Sequence, residues 1–278
     1  MAHVGKGGLG FFLAAPSTAV VAAFALVPMG LSAYLSLTSW SGLGGAEWVG
    51  LDNYRRLLED PRFARYLRQT LTYALFAVPL GVVFPLLVAL AIHNLKGFWA
   101  GLFRVLFYLP LVTGVVATAL LVQALVGLFP QNPFARPESV LPALAVFSVW
   151  QGMGSAILLY LAGLSRLPRE LYEAAAVDGA GPWASFRYVT LPGLLPVTSL
   201  VLVLSTIASL QVFEAVLFLT RGGPGDASTT LALYIYTTAF RYFRMGEATA
   251  MAWVVAAGLL LLVMLQRRLE RRLADAEA

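Results

Sequence analysis

The chain has 278 residues, of which 59% are hydrophobic and only 12% are charged, and its formal net charge is +5. Because an average soluble domain is about 25% charged, this composition excludes a soluble domain and indicates a protein that lies in a membrane. The absence of cysteine excludes a disulfide scaffold and thiolate metal sites, and the basic residues lie between apolar runs, which argues against a nucleic-acid partner.

Six uncharged stretches are long enough to cross a bilayer, whose apolar core needs about 20 helical residues. In chain order they are Leu9–Thr38, Gln69–Ile92, Val105–Phe129, Ser139–Ser165, Tyr188–Phe213 and Ala248–Gln266. They are too long for the strands of a membrane β-barrel and lack its alternation of polar and apolar residues. The predicted fold class is therefore an all-α integral membrane protein with six transmembrane helices.

The first stretch is interpreted as a retained helix, because it is longer than the apolar core of a signal peptide, which has about 7–15 residues. The predicted organisation is an N-terminal helix with an external amphipathic segment (1–66), a core transmembrane domain (67–270) and a tail (271–278). With the N-terminus in the cytoplasm, ten Lys and Arg residues lie inside and nine outside. These counts favour neither orientation.

The charged connector between the fourth and fifth spans, Arg166–Arg187, has the pattern of two short helices. Arg169–Val177 is rich in helix formers and follows Pro168, which suits a first helical turn. Gly179 lies where a left-handed residue would end this helix, and Pro182 restarts the chain. These residues predict a helix–turn–helix across one membrane face; an interfacial helix that only links two spans is the alternative interpretation.

The same segment resembles the EAA loop of binding-protein-dependent ABC importer permeases. The residues that carry the resemblance are Glu173-Ala174-Ala175, Asp178-Gly179-Ala180, Phe186, Leu191-Pro192 and Pro196. Two further segments, Val49–Phe63 and Leu219–Phe240, resemble the sugar-type subfamily, which is the maltose and glycerol-phosphate group. Importers of this subfamily contain two permease subunits, and the resemblance is to the subunit at the first of these two positions. The similarity extends from about Phe11 to Arg272 and so covers nearly the whole chain.

This resemblance implies a type I ABC importer permease fold in the inner membrane of a bacterial or archaeal cell. It places the EAA loop (166–192) in the cytoplasm and, by the parity of six spans, both termini there as well. The residues implied in coupling to an ATPase are Glu173, Ala174, Ala175, Asp178, Gly179 and Ala180. The implied partners are a second homologous permease, two copies of the ATPase, an external solute-binding protein, the lipid bilayer and a sugar substrate.

The chain has no sequence for binding ATP itself. A phosphate-binding loop of the Walker type needs Gly-x-x-x-x-Gly-Lys-Ser/Thr, whereas the two lysines, Lys6 and Lys96, stand in unrelated sequence. The sequence therefore predicts that ATP and Mg²⁺ bind to a separate chain, and that this chain is not an enzyme and holds no cofactor. No metal site is predicted, because His3 and His93 cannot form an HExxH motif.

The fourth and fifth spans carry the polar side chains that could line a solute pathway. Thr198, Ser205 and Ser209 fall within about 40° of one another at 100° per residue, although such a stripe also suits hydrogen bonding between helices. Sugar contacts in the maltose-type family come from these parts of helices four and five. Together with Glu214, an ionisable group at the end of a span, the candidate residues are Trp150, Gln151, Gly152, Ser155, Ser205, Ser209 and Gln211.

Two alternative functions remain open from the sequence. The first is a permease for another solute, such as glycerol phosphate; a phosphate should need several basic pathway residues, and no predicted span contains one, which favours a neutral solute. The second is an intramembrane protease, because Gly223-Pro224-Gly225-Asp226 spells Gly-x-Gly-Asp. The other aspartates lie outside the predicted spans, so the sequence offers no intramembrane pair.

Overall fold

The computed structural model describes residues 15–93 and 95–277. Its helices are α1 (Ala15–Leu35), α2 (Asp52–Glu59), α3 (Pro61–His93), α4 (Gly97–Thr113), α5 (Val115–Val126), α6 (Val140–Leu164), α7 (Arg169–Val177), α8 (Pro182–Gly193), α9 (Leu195–Leu210), α10 (Glu214–Leu219), α11 (Leu231–Tyr236) and α12 (Met245–Glu277). Strands β1 (Thr38–Ser39) and β2 (Glu47–Trp48) form an antiparallel pair in which Thr38 lies opposite Trp48. His3, Lys6 and residues 9–14 of the first predicted span lie outside the described residues.

Four helices are long and apolar enough to cross a membrane alone: α1, α3, α6 and the Met245–Leu269 part of α12. The bent pairs α4–α5 and α8–α9 meet the same test when each is taken as one span, which gives the predicted six. The sequence predicts the third and fifth spans as single helices, whereas the structure bends them by 101° and 65°, respectively.

Both bends occur at residues that interrupt helical hydrogen bonding. α4 ends at Gly114, whose φ of +75° is a left-handed conformation that glycine adopts at little cost. α8 gives way to α9 at Leu194, and Pro196 follows in the first turn of α9. A proline ring removes a backbone donor and collides with the carbonyl four residues earlier, so Pro196 favours a bend at this point, although α3 continues through Pro79 and Pro85.

The described residues divide into two compact units, and the larger one comprises Arg62–Tyr234 with 258–277. Two apolar clusters form its core. The first unites Tyr73, Ala77, Ala119, Val140, Leu141, Leu144, Ala145, Phe147, Val212, Ala215, Val216, Leu219 and Leu233. The second unites Leu86, Ala89, Ile92, Met153, Ile157, Tyr160, Leu161, Leu164, Leu194 and Val201. The helices α3 and α6 contribute to both clusters and therefore form the framework of this unit.

Glycines allow α6 to approach its neighbours closely. A Cβ at Gly154 would lie 3.1 Å from the carbonyl oxygen of Phe107 in α4. A Cβ at Gly163 would lie 2.8 Å from a methyl carbon of Val197 in α9. Small residues at such crossings let membrane helices pack backbone against backbone, which fixes α4 and α9 against the same central helix.

The smaller unit comprises 15–61 and Ile235–Ala257. The buried Asn53 amide of α2 donates hydrogen bonds to the carbonyls of Ser36 (2.8 Å) and Thr38 (2.9 Å). The backbone N–H of Gly246 donates to the Trp40 carbonyl at 3.1 Å, and a Cβ added to Gly246 would collide with the Thr38 carbonyl. These contacts hold α2, β1 and the start of α12 together.

Candidate functional site

The segment between α6 and α9 forms the helix–turn–helix that the sequence predicts. α7 begins after Pro168, which is the residue preceding its first turn and not part of it. Its end is fixed by Gly179, whose φ is +79°. The N–H of Gly179 donates to the Ala176 carbonyl (3.1 Å) and the N–H of Ala180 to the Ala175 carbonyl (2.9 Å), which is the hydrogen-bond pattern of a Schellman motif. The predicted helix end at Gly179 is confirmed.

The six predicted coupling residues lie together on α7 and the turn that follows it. Their side chains are accessible: Glu173, Ala174, Asp178 and Gly179 are exposed, and the other two are half-buried. Large apolar side chains are exposed in the same segment, with Val177 at 88%, Trp183 at 73% and Tyr188 at 77%. A surface that combines carboxylates with exposed apolar groups of this size is typical of a contact with another protein or with a membrane interface.

Two contacts connect α7 and its flanking residues to α8. The hydroxyls of Tyr172 in α7 and Thr190 in α8 share a hydrogen bond of 2.9 Å, and Thr190 is buried. The side chain of Leu167, just before α7, fills the space beside Gly193, where an added Cβ would lie 2.5 Å from a Leu167 methyl carbon. These contacts therefore join α7 and the residue before it to α8, which leads directly into α9. This hydrogen bond was not predicted from the sequence.

A cavity of about 750 Å³ lies within the larger unit, bordered by α3, α6, α9 and α10. Seven of the eight predicted pathway residues line it: Gln151, Gly152, Ser155, Ser205, Ser209, Gln211 and Glu214. The eighth, Trp150, is not among its lining residues; its ring lies 6.1 Å from the ring of Phe147. The cavity also touches both apolar clusters, through Ala77 of the first and Met153 of the second.

The chain loses its helical conformation where it borders this cavity. α9 ends at Leu210, and Gln211 and Phe213 have non-helical backbone angles before α10 begins at Glu214. Non-helical backbone inside a bilayer is tolerated where protein or a water-filled cavity satisfies its polar groups. Here the buried Thr230 hydroxyl donates to the Val212 carbonyl at 3.0 Å, so this residue stabilises the break, which the sequence did not predict.

Several of the lining hydroxyl and amide groups also bond to the backbone. The Ser209 hydroxyl donates to the Ser205 carbonyl (2.7 Å), and the Ser155 hydroxyl donates to the Gly152 carbonyl (3.0 Å). The Gln151 amide donates to the Pro110 carbonyl at 3.4 Å, near the end of α4. The serine oxygens keep acceptor lone pairs, so these side chains can still bind a polar solute.

Two polar residues of the cavity wall were missed by the sequence analysis. Tyr73 of α3 and Ser148 of α6 both line the cavity. Their only signal was a hydroxyl inside a predicted span, which is common and weak. Among the lining residues Glu214 alone carries a formal charge, and its side chain is exposed. The cavity wall is thus apolar and hydroxyl-rich, with a single carboxylate.

The Gly-x-Gly-Asp sequence lies in a hydrogen-bonded loop. The Asp226 carboxylate accepts a hydrogen bond from the Tyr66 hydroxyl (3.4 Å), and the Asp226 carbonyl accepts one from the Gln69 amide (2.9 Å). Both donors belong to α3. These bonds give Asp226 the role of fastening the loop to α3, so the geometry does not favour the protease alternative.

Comparison with known proteins identifies related sequences along nearly the whole chain. Residues 58–275 match the family described as binding-protein-dependent transport system inner membrane component. The chain is 37% identical to the probable ABC transporter permease protein YesP of Bacillus subtilis, over 87% of this chain and 84% of the relative. It is 30% identical to the lactose transport system permease protein LacF of Rhizobium radiobacter, over 92% of each chain.

A solved structure has the same fold. It is the crystal structure of a bacterial ABC transporter involved in the import of the acidic polysaccharide alginate, and its TM-score against this chain is 0.81. The two chains are 25% identical, and the superposition covers 96% of each.

Proposed function

Because this chain belongs to the family of binding-protein-dependent transport system inner membrane components, we propose that it is the permease subunit of an ATP-driven carbohydrate importer. In this role it forms half of the solute pathway. The proposal is supported by the family match over residues 58–275 and by relatives that are named for sugar transport, among them LacF. The predicted six-span helical fold in a membrane agrees with that family.

The lining of the cavity supports a carbohydrate over a phosphorylated solute. Sugars present many hydroxyls and apolar ring faces, which suit a wall of serines, amides and apolar side chains. The lining residues include Ser155, Ser205 and Gln211 but no lysine or arginine. Glycerol phosphate would bring a charge of about −2 beside Glu214 with no basic group to offset it. The glycerol phosphate alternative is therefore the weaker one.

Coupling to a separate ATPase is proposed at α7. A rigid, exposed helix with a carboxylate, Glu173, and apolar neighbours such as Val177 is suited to a cleft on a partner protein. ATP and Mg²⁺ would be bound by that partner, since Lys6 and Lys96 cannot form a Walker loop. Closure of two ATPase copies would move α7, and the Tyr172–Thr190 hydrogen bond would transmit this movement to α8 and α9.

The assembly and orientation follow from the same proposal. The chain would pair with a second homologous permease and bind an external solute-binding protein, with α7 and both termini in the cytoplasm. The cavity between α6 and α9 would then open alternately to the two sides, as the bundle changes between inward- and outward-facing states. Residues 166–192 form the coupling region of a core domain that extends over 67–270.

Reconstitution tests this function directly. The chain is placed in proteoliposomes together with its permease, ATPase and solute-binding partners, and ATP hydrolysis is measured against a panel of sugars and non-sugar solutes. We expect at least one carbohydrate to stimulate both ATP hydrolysis and uptake. Strong stimulation of ATP hydrolysis by a non-carbohydrate solute, with no stimulation by any sugar, would contradict a carbohydrate substrate. It would leave the assignment as an importer permease intact.

A further inference from the structure

Among the residues that line the cavity, Glu214 alone carries a formal charge at neutral pH. It stands at the start of α10, directly after the break in the fifth span. The other polar groups of the wall are the hydroxyls and amides of Tyr73, Ser148, Gln151, Ser155, Ser205, Ser209 and Gln211. In the described part of the chain, the ion pairs join other residues, and Glu214 takes part in none of them.

We propose that Glu214 gives the cavity a negative potential and thereby makes this half of the pathway reject acidic sugars, while it admits neutral and amine-bearing ones. This inference rests on the proposed carbohydrate permease function and assigns the charge class of its substrate. Glu214 acts as a specificity-determining residue. Ser155, on α6 across the cavity, and the serines of α9 supply hydrogen bonds that do not distinguish between the charge classes.

The size of the cavity makes this carboxylate effective for any solute inside it. A cavity of about 750 Å³ is on the order of 10 Å across, and this sets the scale of the separation between Glu214 and a charged substituent on a sugar bound in it. At that separation and an effective dielectric constant of about 20, two unit charges change a binding equilibrium by on the order of tenfold. A carboxylate on the sugar is disfavoured by this factor, and an ammonium group is favoured by the same factor.

The potential can be measured without knowing the substrate, because the chain contains no cysteine. Ser155→Cys places one thiol in the cavity wall, and Ala135→Cys places a matched control thiol at an exposed position before α6. Each variant, within the reconstituted complex, is treated with a trimethylammonium methanethiosulfonate and with a sulfonate methanethiosulfonate. The ratio of the two modification rates on this chain reports the local potential.

We expect the cation-to-anion rate ratio at Ser155→Cys to exceed that at Ala135→Cys, and to fall by at least about tenfold when Glu214→Gln is added. The ratio at Ala135→Cys should stay the same. An unchanged ratio at Ser155→Cys, or an equal fall at both thiols, overturns the proposal. Should Glu214→Gln fail to assemble, equal ratios at the two thiols in the Glu214 chain overturn it as well.

Transport provides a second measurement. Uptake of the stimulating sugar is measured in the presence of competing sugars, in two matched pairs: glucose and glucuronate, and galactose and galacturonate. The measurement is made in Glu214→Gln and in the control Glu138→Gln, which removes an exposed carboxylate outside the cavity. We expect the discrimination against uronates to weaken by about tenfold only in Glu214→Gln. If sugars stimulate ATP hydrolysis but Glu214→Gln discriminates against uronates as strongly as the unmodified chain, this inference is refuted and the proposed function stands. If no sugar stimulates ATP hydrolysis, the proposed function is refuted, and the thiol measurement decides whether Glu214 gives the cavity a negative potential.

Discussion

Replacement of Gly179 tests whether the turn after α7 controls coupling. The φ of Gly179 is +79°, and an added Cβ would meet no atom within 4 Å. The cost of a side chain here is therefore conformational and not steric. A non-glycine residue in the left-handed region costs about 1–2 kcal/mol, which shifts the equilibrium between the native turn and other turns by roughly 5- to 30-fold.

Three substitutions at this position should follow an order set by the backbone. Asn tolerates the left-handed region best after glycine, so Gly179→Asn should retain most of the coupled transport. Gly179→Ala should retain less. Gly179→Pro should abolish it, because proline fixes φ near −65° and removes the N–H that donates to the Ala176 carbonyl.

Gly181 provides the matched control in the same turn. Its φ is −72°, and an added Cβ would also meet nothing within 4 Å. Gly181→Ala should therefore transport like the unmodified chain. The assay is solute uptake and solute-stimulated ATP hydrolysis in proteoliposomes, with the amount of inserted permease measured for each variant. Full uptake by Gly179→Pro, or an equal loss in Gly181→Ala and Gly179→Ala, would refute the reasoning.

Three further substitutions address α7 and the packing of α6. Glu173→Lys should leave the chain in the membrane but abolish solute-stimulated ATP hydrolysis, because it reverses the charge proposed to contact the ATPase; normal stimulation would contradict this role. Tyr172→Phe removes the hydrogen bond to Thr190, which is worth about 0.5–1.5 kcal/mol. It should speed amide hydrogen exchange in α7 and reduce coupled uptake. Unchanged hydrogen exchange would show that this hydrogen bond does not stabilise α7. Gly163→Leu should destabilise the α6–α9 crossing by about 1–3 kcal/mol, measured by thermal unfolding in detergent. Gly258→Ala, at an open position of α12, should leave the stability unchanged. Equal melting temperatures for the two variants would exclude this packing.

The spans and the helix end at Gly179 follow from local sequence, which is why they could be predicted. Hydropathy over about 20 residues depends on composition alone, and a glycine after an alanine-rich helix predicts a left-handed helix end. The same logic does not reveal a bend. Gly114 stands in an apolar run where a tolerated glycine inside a straight span is the default interpretation, so its φ of +75° could not be foreseen.

The cavity could not be predicted from the sequence either, because its wall is formed by residues that are distant in the sequence and meet only in the tertiary structure. Helical spacing placed Ser205 and Ser209 on one face of the fifth span, and the structure places both on the cavity wall, with Ser205 beside Gly81 of α3. Tyr73 reaches the same cavity from α3, which is distant in the sequence, and no periodicity within α3 indicates which neighbour it meets. Trp150 was named for its chemistry, yet its neighbours in the sequence line the cavity and it does not.

The short helices that follow the breaks in the third and fifth spans, α5 and α10, pack against each other. About 90 residues of sequence separate them. At a ribosomal rate of 5–20 residues per second, α5 therefore waits roughly 4 to 18 seconds for its partner during synthesis. Over that interval its apolar face, including Ala119, which is fully buried in the finished protein, lacks α10 and can contact only segments already made, such as α3 and α6, together with lipid or an insertion factor. The native surroundings of α5 are thus complete only after the fifth span and α10 have been delivered.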